Sequence, residues 1–299
     1  MQKLHLCHLA LAVYPERKDG AAKFARRIYD ELKRRGHDIT LLTAKWGEGF
    51  EDPNIVTINI PRSRFMWVPK YAWAFYRYLQ AHEFDIIHSN GSRSSVPILM
   101  ARKPFVSHIH DVGPFQTSFS PLPFIKMLER MNAQAAKRIL TCAEANIPEI
   151  HHFMGADPKK MFAVSDAIDP GFHPSPQQAD ELRERWDIQG PVLCYVGRIE
   201  FYKDVDNILK AYRIAKKTVP DLNLVIGGGA TLTMKITVEQ WKRAYPEVKF
   251  VGIVPDAEMP GFYSMGDAFV TYSYASEGFG LTLVEAMACG TPVITSNLP

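Results

Sequence analysis

The sequence predicts an α/β protein of two consecutive Rossmann-like, doubly wound domains facing a cleft, and three observations carry that expectation. Short aliphatic and β-branched runs alternate with helix-like stretches along almost the whole chain, the pattern of parallel sheets covered by helices. The alternation breaks once, in the proline- and glycine-containing stretch 169–190. At 299 residues there is room for two domains of ~100–200 residues each. The expected boundaries are 1–170 for the first domain, 171–190 for a linker and 191–299 for the second.

Composition narrows the class further. Hydrophobic residues make up 46% and charged residues 22%, so the chain can bury a core and is no disordered segment. A net charge of +3 supplies no field to gather a nucleic acid, and none is expected as a partner. Cys7, Cys142, Cys194 and Cys289 are scattered without a C-x-x-C pair. The leading apolar run is short and interrupted by His5 and His8, and no run approaches the ~20 apolar residues that span a bilayer. These features predict a cytoplasmic protein.

In chain order, residues 4–13 read as a first strand and 20–35 as a helix with Phe24, Ile28 and Leu32 on one face. Gly36 stops that helix, being free to take positive φ. Strands follow at 38–44, 84–89, 104–109, 138–143 and 161–165. After the break, a second series runs through 191–197, 222–227, 248–251, 268–272 and 292–295.

Two stretches point to chemistry. In SEGFGLTLVEAMACGTPVIT (276–295), Gly278 and Gly280 flank Phe279, and a helix-forming run follows at once. Free amides and the positive end of the helix dipole then face whatever precedes Leu281, which suits a phosphate. Glu277 and Glu285 would repel a phosphate but can accept hydrogen bonds from the hydroxyls of a sugar or ribose. A surface loop followed by an amphipathic helix with a solvated Glu285 fits the same pattern. In VGRIEFYKDVDN (196–207), the strand delivers Gly197 and Arg198 to its C-terminal end, with Lys203 near a helix start. Ligands of open α/β sheets bind at such ends, where an arginine fork and a lysine point charge neutralise a diphosphate. The first turn, AVYPERKDGAAKF, lacks G-x-G-x-x-G but places Gly20 where a helix begins, allowing close approach of an anion. A plain loop glycine fits there equally well.

Taken together, G-R-x4-K followed by E-G-F-G-L-x3-E-A-M-A-C-G-x-P-V-I resembles the retaining family 4 glycosyltransferases of the GT-B fold. LVIGGGA (224–230), VKFVGIVPDAEMPGFYSMGDAFV (248–270) and, more loosely, RRGHDITLLT, FDIIHSNG, HIHD, ILTCAEA and AVSDAIDPGFHP occur in the family's order. The resemblance implies transfer of a hexosyl group from a nucleotide-diphosphate sugar to a hydroxyl of a sugar, polysaccharide or lipid-linked acceptor, with retention and without cofactor or metal. It implies that Arg198 and Lys203 hold the diphosphate, Glu285 grips the ribose and Glu277 positions the transferred sugar. Backbone of Phe279, Gly280 and Leu281 cradles phosphate and sugar, beside Gly278 and Gly197. His110 stands near the reacting sugar, and the Gly20 loop approaches the diphosphate. The chain departs from the pattern at Asp19-Gly20, Lys203-Asp204 and Asp166-Ala167, where the family has Gly-Gly, Lys-Gly and Asn-Gly.

Other motifs compete. Asp204-Val205-Asp206 spells D-x-D, a metal motif of the other major glycosyltransferase fold, but at a helix start it is expected to serve capping and the dipole. His108-x-His110-Asp111 lacks the partners of a zinc site. A glycosidase pair of Glu277 and Glu285 has no need of a phosphate seat. Residues 61–78 carry Arg62, Arg64, Lys70 and Arg77 among aromatics without an acid: a helix packed in the core, or a patch for an anionic membrane at the inner face of the cell. A nucleotide-sugar epimerase and a non-catalytic donor-binding or scaffold subunit remain as alternatives. The second domain, ending just after 292–295, is shorter than ~150 residues, and the expectation is an incomplete domain prone to self-association.

Overall fold

The computed structural model describes residues 2–17, 19–59, 67–116, 123–275 and 277–298, with backbone only at 67–68. The chain divides into two units, Met1–Asp166 and Ala167–Pro299.

The first unit contains β1 (His5–Ala10), α1 (Gly20–Arg34), β2 (Asp38–Lys45), β3 (Ile55–Asn59), α2 (Trp67–Ala81), β4 (Ile86–Asn90) and α3 (Ser92–Ala101). It continues with β5 (Val106–Ile109), α4 (Gly113–Gln116), α5 (Pro123–Ala135), β6 (Arg138–Thr141), α6 (Asn146–Met154) and β7 (Met161–Ala163). All strand pairs are parallel, in the order β3-β2-β1-β4-β5-β6-β7. Strand alternation builds two layers of core. Cys7, Leu9, Leu42 and Ala44 pack with Tyr71, Phe75 and Leu79 of α2, Ile98 of α3, Ala133 of α5 and Ile150 of α6. Leu6, Ala10, Ile39 and Leu41 face the other way, onto Ala25 and Tyr29 of α1. Each such fully buried large side chain contributes about 1.5–3 kcal/mol. The strand order reverses between β1 and β4, whose last residues Ala10 and Asn90 sit in register. A reversal of this kind opens a crevice at the C-terminal strand ends.

The second unit repeats the plan with α7 (Pro176–Arg185), β8 (Val192–Val196), α8 (Val205–Ala215), β9 (Asn223–Gly227), α9 (Lys235–Ala244), β10 (Lys249–Gly252), α10 (Met259–Ser264), β11 (Ala268–Val270), α11 (Leu281–Ala288) and β12 (Val293–Ile294). Its parallel sheet runs β10-β9-β8-β11-β12, reversing between β8 and β11. Cys194 and Val196 face α7, α10 and α11, whereas Tyr195 faces α8 and α9. All four cysteines are buried and unlinked.

Three local expectations need correction. On α1 the fully buried positions are Ala22, Ala25 and Tyr29, while Phe24, Ile28 and Leu32 are only half-buried. The small alanines let the helix backbone lie close on the sheet, turning the spacing-of-four row to the rim. β3 was not visible in the sequence, because a short run between Pro53 and Pro61 reads as a loop. Residues 171–190 contain α7, begun by Pro176 at its first turn and packed on α10 through buried Ala179 and Leu182.

Candidate active site

In the second unit the site grows from the reversal point of the sheet. Gly197 and Arg198 leave β8 there, and the backbones crowd. Gly228 has φ +118°, and a Cβ on it would lie 1.8 Å from the Gly197 carbonyl oxygen, so only glycine fits. Arg198 donates from Nη2 to the Tyr202 hydroxyl at 3.3 Å. Phe201–Lys203 form one 3-10 turn, opened by the Glu200 side chain accepting from the Phe201 amide and closed by Asp204 in the left-handed region at φ +35°. That conformation suits the glycine that the resemblance implies at this position; Asp tolerates it better than most residues. The Tyr274 amide donates to the Tyr202 carbonyl at 3.1 Å, tying the turn to the segment after β11.

This tie brings Lys203 and Glu277 together across 74 residues of sequence. Lys203 Nζ and Glu277 Oε1 form an ion pair, and the Ser273 hydroxyl donates to the same oxygen at 2.5 Å. Both charged side chains are largely withdrawn from solvent, 17% and 28% exposed, so their attraction is screened less than that of a surface pair.

The loop at 278–280 ends on Gly280, at φ +76°, and α11 starts at Leu281. Among the described residues no side chain caps this helix, and no acid occupies its first turn. The Leu283 amide turns back to Gly280 O at 2.9 Å, while those of Leu281 and Thr282 lie in the uncapped first turn, at the positive end of the helix dipole. Glu285, one turn further, is 8% exposed, and its Oε2 accepts from the Tyr263 hydroxyl at 2.7 Å. Burial first, and the Glu285 carboxylate second, hold the Tyr263 hydroxyl far above its ordinary pKa, so it remains a donor. A solvated Glu285 is thereby excluded. A groove of about 490 Å³ opens at the ends of β9 and β10, lined by Gly228, Ala230, Gly252 and, from α9, Lys235, Glu239 and Lys242. The sequence marked the glycine-rich strand end at 224–230 but not the α9 side chains.

The D-x-D carboxylates are engaged within the protein. Asp204 accepts from the Asn207 side chain at 2.6 Å rather than capping α8, and Asp206 takes Lys210 at 2.6 Å and the Trp241 indole N–H at 3.2 Å.

In the first unit, Gly20 opens α1, capped by Asp19, whose side chain accepts from the Ala22 amide at 3.0 Å. The Asp at the family's glycine position thus has a local structural role. His110 follows β5, and its Nε2 lies 2.7 Å from Asn90 Oδ1 at the end of β4. Asn90 Nδ2 donates to the Ala21 carbonyl at 3.0 Å, so one amide links the Gly20 turn to His110. Behind His110 lies a buried histidine array: His108 at 4.4 Å between ring centroids, then His88, whose Nδ1 lies 2.7 Å from Nδ1 of the stacked His8. Phe24 covers His108 and His110. Burial pushes His88 and His110 down to about 4 and His108 to about 2, so these rings are neutral at pH 7. The sequence showed His110 but not Asn90, His8 or His88; strand-end position and matching parity on β1, β4 and β5 were the signals available.

Residues 178–299 match the family of group 1 glycosyl transferases, and residues 18–172, more than half of the chain, match glycosyltransferase family 4. The chain belongs to glycosyltransferase family 4. Among curated members of known name, it is 25% identical to a phosphatidyl-myo-inositol mannosyltransferase of Propionibacterium freudenreichii over 89% of this chain and 70% of that protein. It is 27% identical to O-antigen chain mannosyltransferase B of Escherichia coli, over 64% of this chain and 53% of the relative. The family's GT-B fold is confirmed by sucrose-phosphate synthase from Thermosynechococcus elongatus, with a TM-score of 0.82 at 21% identity, over 99% of this chain and 82% of that one. Anabaena HepE, solved in complex with UDP and glucose, superposes with a TM-score of 0.76 at 20% identity over 98% and 81%.

Proposed function

We propose that this family 4 chain transfers a hexosyl group from a nucleotide-diphosphate sugar to a hydroxyl acceptor, with retention of anomeric configuration. The observation that carries the reading is the convergence of Arg198, the Lys203–Glu277 pair and the uncapped start of α11 around one sheet reversal. Arg198, Lys203 and the amides of Leu281 and Thr282 bind the diphosphate and stabilise the charge that grows on it as the bond to the sugar C1 breaks. Lys203 exchanges its carboxylate partner for phosphate, releasing Glu277 to accept from a sugar hydroxyl. Glu285, held by Tyr263, accepts from the ribose hydroxyls. The acceptor oxygen bonds to C1 on the face the diphosphate leaves, and its proton passes to a phosphate oxygen. These groups supply the cationic charge themselves, so activity should persist in EDTA.

The acceptor side carries a second feature. No helix among the described residues is long and apolar enough to cross a membrane. Yet α2 exposes Lys70, Trp73 (58%) and Arg77, and α5 exposes Phe124, Met127 and Met131 in one stripe beside Arg130. α2 has no acid, and the single acid of α5, Glu129, is turned inward to Ser92. Such a cationic, apolar face fits an anionic membrane bearing a lipid-linked acceptor, in keeping with the phosphatidylinositol in the name of one relative. Tyr71 and Phe75 of the same helix are core residues, as the packed-helix reading expects, and the membrane proposal concerns its opposite face; residues 61–66 lie outside the described ones.

The test is a panel of UDP- and GDP-sugars in thermal-shift assays, followed by incubation of each binder with lipid and sugar acceptors and NMR of the product's anomeric carbon. One nucleotide sugar should stabilise the chain and give a product of the donor's configuration. An epimer formed from donor alone, or binding without turnover, would overturn the reading.

A further inference from the structure

The Asn90–His110 contact fixes more than a ring position. Asn90 is committed on every side: Nδ2 donates to the Ala21 carbonyl at 3.0 Å, and its main-chain oxygen accepts from the Ser94 hydroxyl at 3.0 Å. Because the amide nitrogen is engaged by Ala21, the atom facing His110 is the oxygen, an acceptor only. His110 must therefore donate from Nε2, and in a neutral imidazole the lone pair then resides on Nδ1. Nδ1 has no protein partner among the described residues. The main-chain oxygen of His110 is separately held by the Cys142 thiol and the Asn146 amide, at 3.1 and 3.3 Å, so the ring hangs from a fixed backbone.

Neutrality is built in from several elements. From β5, β4 and β1, His108, His88 and His8 resist any positive charge among them, and Phe24 of α1 offers no polar contact. Among the described residues, the Asp19 carboxylate at the start of α1 favours the imidazolium, and burial outweighs it. Asp111, the next residue, is turned to the Gly113 amide at 2.7 Å, and the buried Cys142 thiol stays protonated.

We propose that Asn90 is a positioning residue that locks His110 in its neutral Nε2–H tautomer, so that Nδ1 accepts a hydrogen bond from a hydroxyl of the reacting sugar or acceptor. Through Ala21, the same amide couples that ring to the Gly20 turn. This rests on the transferase reading proposed above and on the place near the reacting sugar that the family resemblance implies for His110. A hydroxyl held by Nδ1 is oriented without being deprotonated, since a ring of such low basicity does not remove its proton.

Two variants of the full chain test it. Asn90→Ala removes the acceptor and should lower kcat about 10- to 100-fold through misorientation, while UDP and GDP, bound by the second unit, stabilise the variant as they do the parent. Long-range ¹H–¹⁵N NMR should show His110 as Nε2–H in the parent and as a tautomer mixture in Asn90→Ala. Asn90→Asp keeps the acceptor but stabilises the imidazolium, so the acid limb of the kcat profile should move upward from near 4, with rates near the parent's at pH 8. The Asn90→Ala loss should also vanish in a His110→Ala background, as coupled residues require. An unchanged tautomer in Asn90→Ala, or an acid limb that Asn90→Asp does not move, overturns the proposal. The NMR readouts need no turnover, so they decide the matter even if the transferase reading fails.

Discussion

The two units use one plan, a parallel sheet with a single reversal, but furnish the reversal with opposite chemistry. In the first, the strand ends carry Asn90 and His110 in front of three buried neutral histidines, with the Asp19 carboxylate occupied in capping. In the second, they carry Arg198, Lys203 and Glu277, with an uncapped helix start at Leu281. A neutral, hydrogen-bonding pocket suits hydroxyl groups; a cationic one with a single exchangeable carboxylate suits a diphosphate. The burden of charge in the proposed reaction thus falls on one unit. The other needs only to orient.

The comparison breaks first at the cations. Arg198→Ala and Lys203→Ala should each lower kcat by at least about 10²-fold, because each removes stabilisation that grows as the diphosphate departs. Near-parent rates from both in a steady-state assay would show that the second unit does not carry the charge. Glu277→Gln tests the exchange: with Lys203 no longer held by a carboxylate, nucleoside diphosphate should bind as well as or better than to the parent, while turnover of the intact donor falls. Calorimetry that finds both weakened equally sinks the idea.

How much of this was legible beforehand follows the same division. The site proposed for the second unit could be drawn from the sequence because its residues are concentrated in two short motifs with few spacings. What the motifs could not show is that Lys203 and Glu277 meet directly, since that depends on the Tyr202–Tyr274 backbone bond between distant segments. The first unit was readable as a fold from its strand runs, but its site is spread over β1, β4 and β5. Isolated histidines on three strands look like core residues until the register stacks them. Asn90 lies just past the strand expected at 84–89 and carries no signal of its own, and the burial of Glu129 depends on its meeting Ser92 of α3.

Acid sharpens the contrast next. The folded-state pKa values of His8, His88, His108 and His110 are depressed below about 6.5. The unfolded chain therefore binds protons that the native first unit does not, and stability is complete above that pH and is lost as pH falls toward 4. Glu129, raised by burial to about 7, acts oppositely, since the native state holds its proton between about 4.5 and 7. Four histidines against one carboxyl leave a ceiling of about 4 kcal/mol per pH unit in this window. Hydrogen exchange from pH 7.5 to 5 should show β1, β4 and β5 losing protection before β8 and β9, and His88→Gln should flatten the slope. Parallel loss in both units contradicts this division.

A smaller effect concerns nucleoside recognition. Glu285→Gln keeps an acceptor for the Tyr263 hydroxyl but loses the charge that strengthens bonds from ribose hydroxyls, so nucleoside diphosphate should bind about tenfold more weakly, with the fold intact. Binding that is unchanged in titration calorimetry removes Glu285 from the ribose.

The smallest effect lies on the outside, where the first unit is not neutral at all. Lys70, Trp73 and Arg77 are exposed on α2, and Phe124, Met127, Arg130 and Met131 on α5, with no exposed acid on either helix. Each cation near an anionic surface contributes about 1 kcal/mol, roughly fivefold in partitioning, and the contribution fades as salt shortens the screening length. Insertion of Trp73 depends on apolar area and is indifferent to salt. Two variants should therefore separate cleanly on phosphatidylcholine vesicles with and without phosphatidylglycerol. Arg77→Gln should bind several-fold more weakly to the anionic vesicles at low salt and converge with the parent at high salt. Trp73→Ser should bind more weakly at every salt concentration. Both lie on the exposed side of α2, opposite Tyr71 and Phe75, so neither should change the unfolding midpoint by more than a degree or two. Sedimentation indifferent to lipid charge would return this face to an ordinary solvated surface, leaving the acceptor to come from solution.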